Sequence, residues 1–215
     1  MLGSLQLRIL RLVSTLPERP ILFGGGAIVG IHVPHRTTRD LDLMWSPASE
    51  LGGRSAEVER TLIGDGLRVE RLTTSPAFVR FRVSGAHEST IVDLVAEPAD
   101  RAREARDVSG VPIWSPPAID LLTDKLCALL SRQEGRDLLD VKALVDAGES
   151  LDTALRLAPS RDGGFSPLTL AWLLRGWPMA AVATAAGWDD DTRAVMEAYR
   201  DRLVAQLTAP EKEEL

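Results

Sequence analysis

Phe23-Gly24-Gly25-Gly26-Ala27 is followed, a few residues on, by His35-Arg36-Thr37-Thr38-Arg39-Asp40-Leu41-Asp42-Leu43. Residues 21–23 read as a short apolar strand that runs into the three glycines. Residues 27–32 supply one or two helical turns, and residues 40–45 read as a second short strand closed by Ser46-Pro47. Asp40 and Asp42 are two residues apart, so in a strand both point to one face, while Leu41 and Leu43 point to the other, into a core. Two carboxylates held side by side repel each other and call for a compensating cation. Hard carboxylate oxygens suit a hard divalent ion such as Mg²⁺. The glycines let backbone N–H groups approach a phosphate closely. Together these parts describe a site for a metal-bound nucleoside triphosphate. Short Asp-x-Asp runs and Gly-Gly-Gly turns are each weak signals alone; their order and spacing, with Arg36 and Thr38 between them, carry the reading.

Working outward, residues 5–16 place Leu5, Ile9, Leu12, Val13 and Leu16 at helical spacing before Pro17 and Pro20. Arg8 and Arg11 interrupt any export-signal core there. Residues 54–63 predict a helix stopped by Gly64 and Gly66, and residues 67–72 a strand. Val79, Phe81 and Val83 alternate with Arg80 and Arg82, and after a turn containing Gly85 residues 90–96 form the partner strand of an antiparallel hairpin. Residues 111–114 read as an edge strand. After Pro116-Pro117 the pattern becomes helical, with helices expected at 118–132, 136–147, 150–157, 167–175, 178–186 and 191–207. The fold class is therefore α+β: an α/β domain with a mixed sheet and flanking helices at 1–115, then a helical domain at 116–210. The tail from Glu211 to Glu214 is expected to fray.

The 215 residues carry 31 acidic and 25 basic side chains, a net charge of −6, which excludes a protein that coats nucleic acid or anionic membrane by bulk charge. Hydrophobic residues make up 45% and charged residues 26%, the balance of an ordinary globular domain. A single cysteine, Cys127, excludes a disulfide framework and a cysteine-rich zinc site. The longest apolar stretch, 21–33, is too short to span a bilayer and contains four glycines. A cytoplasmic protein without a membrane partner is expected.

Gly-Gly followed by Arg-x-Thr-x-Asp-Leu-Asp, the first aspartate some fifteen positions on, resembles the signature of the DNA polymerase β-type nucleotidyltransferase superfamily, and within it the AbiEii/AbiGii toxin family, MenT-like members included. Gly25-Gly26 (or Gly24-Gly25), His35-Arg36 and Asp40 with Asp42 stand in the places of that pattern, with the glycine register open because Gly30, Val33 and Pro34 shorten or bend the intervening helix. The resemblance implies a third metal-binding carboxylate on a neighbouring strand. Asp93, inside the apolar run Ile91-Val92-Asp93-Leu94-Val95, fits it better than an edge-strand aspartate facing water would. It further implies a lysine early in a helix, matched by Lys125, and an Arg-Asp-x-x-Asp element, matched by Arg136-Asp137-Leu138-Leu139-Asp140. On this reading Asp40, Asp42 and Asp93 hold Mg²⁺, with Mn²⁺ as the alternative ion. Gly24, Gly25, Gly26, Arg36, Thr38, Lys125 and Arg136 bind the nucleotide, and Asp137 or Asp140 acts as a base. Lys125, Arg132 and Arg136 would share one face if the helix were unbroken; a break at Gly135 would make their meeting tertiary. Arg136 with Asp140 reads equally as an i,i+4 ion pair on a surface helix.

The resemblance implies transfer of a nucleotide from an NTP to an acceptor, most simply the tRNA 3′ end, by a toxin paired with an antitoxin protein. Transfer to a protein or to a small molecule such as an aminoglycoside shares the same chemistry, and a non-catalytic nucleotide- or antitoxin-binding module is the non-enzymatic alternative. Cys127, Trp172, Trp177 and Trp188 read as core or interface, His32 as packed, and His35 as near the mouth of the site. Arg68, Arg71, Arg80, Arg82, Arg101, Arg103 and Arg106 form either a basic surface for RNA or a solvated face paired with Glu70, Glu97 and Glu104.

Overall fold

The computed structural model describes residues 1–209; the acidic tail lies outside the described residues. The chain divides into two compact units, Met1–Leu121 and Leu122–Leu215. The first is built on a seven-stranded mixed sheet. In chain order its strands are β1 (Ile21–Phe23), β2 (Asp40–Trp45), β3 (Arg68–Thr74), β4 (Phe78–Ser84), β5 (Ser89–Ala96), β6 (Glu104–Val108) and β7 (Val111–Ser115). They lie in the order β3-β4-β5-β2-β1-β7-β6. β2 pairs antiparallel with β1 and parallel with β5, so the Asp-Leu-Asp strand is central. The β4–β5 hairpin forms as its alternation dictates. Val79, Phe81 and Val83 are buried on one face, with Arg80 and Arg82 on the other. Phe81 is fully buried, worth roughly 1.5–3 kcal/mol for a side chain of its kind.

Helix α1 (Ser4–Val13) buries Leu5, Ile9, Leu10 and Val13 and packs against β5, β7 and α3 (Arg54–Gly64). The three glycines do not form a separate turn. They open helix α2 (Gly24–Ala27), which runs on as a π-helical turn, Ile28–His32, and stops at extended Val33. The expected edge strand at 111–114 is instead interior: β7 lies between β1 and β6. The true edge, β6, has the sequence Glu-Ala-Arg-Asp-Val, exposed along all but its last residue, so it lacks the apolar alternation that reveals a half-buried strand.

The second unit is helical. Its elements are α4 (Ala118–Ser131, begun in the first unit), α5 (Gly135–Asp146), α6 (Leu151–Arg161), α7 (Pro167–Arg175), α8 (Met179–Ala186) and α9 (Asp190–Leu207). Side-chain N-caps start three of them: Ser150, Ser166 and Asp189 accept from the backbone N–H of Thr153, Thr169 and Thr192. The core gathers Leu126, Leu138, Leu144, Leu170, Leu174, Trp177 and Leu203. Of the core-or-interface reading, Trp172 does not take the core half. It is 72% exposed on α7, whereas Trp177 is buried and Trp188 lies where a Cβ on Gly135 would meet its ring at 2.9 Å. Cys127 is only half-buried, its Sγ 3.7 Å from the Ala158 carbonyl. Among the described residues no helix is long and apolar enough to cross a membrane.

Candidate active site

The pleat of β2 does what the two-residue period requires. Leu41 and Leu43 are fully buried, while Asp40 and Asp42 are half-buried on the other face. Asp42 faces Asp93 of β5 directly across the parallel ladder, and Asp93 in turn faces Arg80 of β4. One row thus crosses the sheet as Arg80, Asp93, Asp42 and Phe23, ending where Gly24 begins. Asp93 lies on an interior strand and is 7% exposed; it is not an edge-strand residue.

Gly24 has φ +61°, a left-handed conformation that side chains resist, and a Cβ there would meet Asp42 Oδ2 at 2.5 Å. Glycine at this position therefore lets the start of α2 and the Asp42 carboxylate touch. A Cβ on Gly25 would meet Arg36 Nη2 at 2.7 Å, so the Arg36 guanidinium lies over the second glycine. A Cβ on Gly26 would approach Leu22 Cδ1 at 3.2 Å, which makes the third glycine a packing position against β1. Thr38 is buried and its hydroxyl donates to Asp40 Oδ1 at 2.8 Å, fixing that carboxylate. His35 is half-buried, with Nδ1 2.7 Å from the Val33 carbonyl oxygen.

Two further residues shape the row. Gln6, buried on the apolar face of α1, donates to the carbonyls of Thr38 (3.3 Å) and Asp40 (3.4 Å) and to Thr90 Oγ1 (3.2 Å). It ties the start of β2 to the start of β5. Its only signal in sequence is one amide among Leu5, Ile9 and Leu10. Arg80 grips both oxygens of Asp93, at 2.8 and 2.6 Å. Its guanidinium is held charged first by that hydrogen bond, with Asp93, Asp40 and Asp42 adding electrostatic support. Among the described residues no group of three or more His, Cys, Asp or Glu is placed to hold a metal ion. The donor chemistry of the row nevertheless suits a hard divalent ion: three carboxylates on adjoining register positions, one of which already carries a cation in Arg80.

The second unit holds a separate charged cluster. Lys125 of α4 reaches Asp137 Oδ1 at 2.7 Å and Asp140 Oδ2 at 2.8 Å, both on α5. Arg132 adds a contact to Asp137 at 2.7 Å. Lys125 is 7% exposed, Asp137 1% and Asp140 0%. Burial alone would strip the charge from Lys125, but Asp140 and then Asp137 outweigh it and hold Nζ protonated above the usual lysine range. The helix does break between Ser131 and Gly135, so Lys125 and Arg132 meet α5 through Asp137, not along one continuous face. Asp140 is no surface residue. It takes Lys125, while Arg136 reaches Glu134 at 2.8 Å.

The arginines of the β3–β4 face and of β6 largely meet nearby carboxylates: Arg71 with Glu59, Arg82 with Glu70 and Arg106 with Glu104. That favours the solvated-face reading over a continuous basic surface. His32 is half-buried, and burial followed by the nearby Arg106 charge lowers its affinity for a proton.

The fold of this chain recurs in solved structures. JHP933 from Helicobacter pylori shares it at 17% identity and TM-score 0.51, over 96% of this chain and 95% of that one. The MenT4 nucleotidyltransferase toxin from Mycobacterium tuberculosis shares it at 15% identity and TM-score 0.62, over 96% of this chain and 82% of that one. The sequence is also matched over residues 8–211 by the model of the AbiEii nucleotidyl transferase toxin of type IV toxin–antitoxin systems, and the chain belongs to that family. No curated protein matches it.

Proposed function

We propose that the chain transfers a nucleotide from an NTP to the 3′ end of tRNA, as the toxin of a toxin–antitoxin pair acting in the cytoplasm. The observation that carries this reading is the row Asp93–Asp42 with Asp40 beside it, set against the helix start at Gly24. In the reaction, the acceptor hydroxyl oxygen bonds to the α-phosphorus and gives up its proton to water, the bond from that phosphorus to the oxygen bridging to the β-phosphate breaks, and pyrophosphate leaves. Asp40, Asp42 and Asp93 would hold Mg²⁺ or Mn²⁺, which would supply neutralisation of the charge that develops in the transfer.

Thr38 orients Asp40, and Gly24 lets Asp42 lie against the helix start. Backbone N–H groups at Gly24, Gly25 and Gly26, with Arg36 over Gly25, are assigned to the phosphates. In the helical unit, Asp137 and Asp140 keep Lys125 charged and fixed. An antitoxin protein is the expected regulatory partner.

The test is incubation with each NTP, Mg²⁺ and total tRNA, followed by sequencing of the tRNA 3′ ends. Added nucleotides that vanish in Asp42→Asn support the reading. Intact 3′ ends, with label appearing instead on protein or on small alcohols, overturn the tRNA assignment.

A further inference from the structure

We propose that Arg80 is the resident counter-ion of the carboxylate row: it occupies Asp93 until a divalent ion displaces it, and so sets the metal concentration at which the site loads. The inference rests on the reading that Asp40, Asp42 and Asp93 bind the ion.

Three observations carry it. Arg80, Asp93 and Asp42 hold successive positions across β4, β5 and β2, so the guanidinium is the direct cross-strand neighbour of a carboxylate assigned to the metal. The pair is bidentate, with both Asp93 oxygens engaged, so a divalent ion approaching that carboxylate competes with the guanidinium for it. The partners are also unequal. The Asp93 side chain is 10% exposed, hemmed in within the sheet, whereas the Arg80 side chain is 45% exposed and has room to leave.

The rest of β4 shows that this pairing is particular to Arg80. Arg82, the next arginine on the same face, pairs outward with Glu70 on β3. The β3 neighbour of Arg80 is Thr73, which offers no carboxylate, so Arg80 pairs inward. Its guanidinium also sits 5.6 Å from the centre of the Phe78 ring, a contact that keeps it at the sheet after Asp93 is given up. Arg80 is thus a positioning residue that acts through Asp93.

The test is a titration of the nucleotide-free protein with Mn²⁺, reading the free ion by electron paramagnetic resonance, for wild type, Arg80→Met, Arg80→Lys and Asp42→Asn. Arg80→Met should tighten Mn²⁺ binding at least about tenfold, because a competing charge within ion-pair distance is removed. Arg80→Lys, which keeps the charge and loses the fork, should fall between. In chelator, Arg80→Met should melt below wild type and recover more than wild type does when Mn²⁺ is added. A purely structural arginine would lower the melting temperature and leave Mn²⁺ affinity unchanged. Binding that Asp42→Asn abolishes but that is equal or weaker in Arg80→Met overturns the inference while sparing the carboxylate site. Binding indifferent to Asp42→Asn overturns the site and the inference with it. Should Arg80→Met fail to fold, Arg80→Lys decides by the same criterion.

Discussion

The two charged clusters of this chain use the same residue types to opposite ends. In the helical unit, Lys125, Asp137 and Asp140 are closed off from water, and cation and carboxylate are matched within 2.8 Å. In the sheet unit, Asp40 and Asp42 are half-buried, and the arginine that meets Asp93 is nearly half exposed. A closed, paired cluster is costly to break because removing one partner strands a buried charge. An open cluster of like charges is costly to keep, and its retention at the centre of a sheet points to a ligand. Burial thus separates a cluster that holds structure from one that awaits a substrate.

Substitutions and a pH series sharpen that contrast, taken from the largest effect down. Asp42→Asn should lower nucleotide transfer by about 1,000-fold or more, since a bound metal contributes several kcal/mol to the transition state. Its melting temperature should hold or rise, because like-charge repulsion with Asp93 is relieved. Calorimetry beside a transfer assay checks both halves. Lys125→Met should do the reverse first: it leaves Asp137 and Asp140 buried without their lysine, at about 3–5 kcal/mol of stability by chemical denaturation. The triple change Lys125→Met, Asp137→Asn, Asp140→Asn should recover part of that loss.

The glycines offer a finer cut. Gly24→Ala meets both a left-handed φ and the Asp42 carboxylate, so it should cost about 1–3 kcal/mol and most of the activity. Gly25→Ala meets only the far end of Arg36, a flexible side chain, and should leave stability close to wild type with a modest rise in the KM for NTP. Equal damage from the two would contradict the placement of Asp42 against Gly24.

The smallest effect is in pH. The folded protein holds Lys125 protonated above its usual 10.5, so its contribution to stability is full below that value and is lost as pH rises through the higher folded value. Denaturant midpoints should therefore fall in the alkaline range for wild type and more weakly for Lys125→Met. His32 works in the other direction. Burial favours its neutral form, so its contribution is present above 6.5 and lost as pH falls below it, and His32→Gln should flatten the acid side of the profile.

Much of the row is legible in the sequence. Asp40 and Asp42 announce themselves by the two-residue period against Leu41 and Leu43, and Asp93 by standing inside an apolar strand where an unpaired carboxylate is expensive. The β4–β5 hairpin is legible because its apolar residues alternate with arginines. What the sequence does not reveal are choices made across the chain. Arg80 and Arg82 look alike, yet register gives one an aspartate and the other a glutamate. Gln6 looks like a lapse in an apolar helix face until its amide is seen bridging β2 and β5. β6 escapes because an edge strand exposed to water needs no apolar alternation. Trp172 reads as core or interface by composition and helical spacing, and neither says which side of α7 faces solvent.

The most direct test of nucleotidyl transfer at the Asp40–Asp42–Asp93 row is the fate of label placed at different phosphates of the NTP. With Mg²⁺ and total tRNA, label at the α-phosphate should appear on the acceptor and label at the γ-phosphate only in released pyrophosphate, both lost in Asp42→Asn. Label from the γ-phosphate on the acceptor, or α-label transferred equally well by Asp42→Asn, would contradict it.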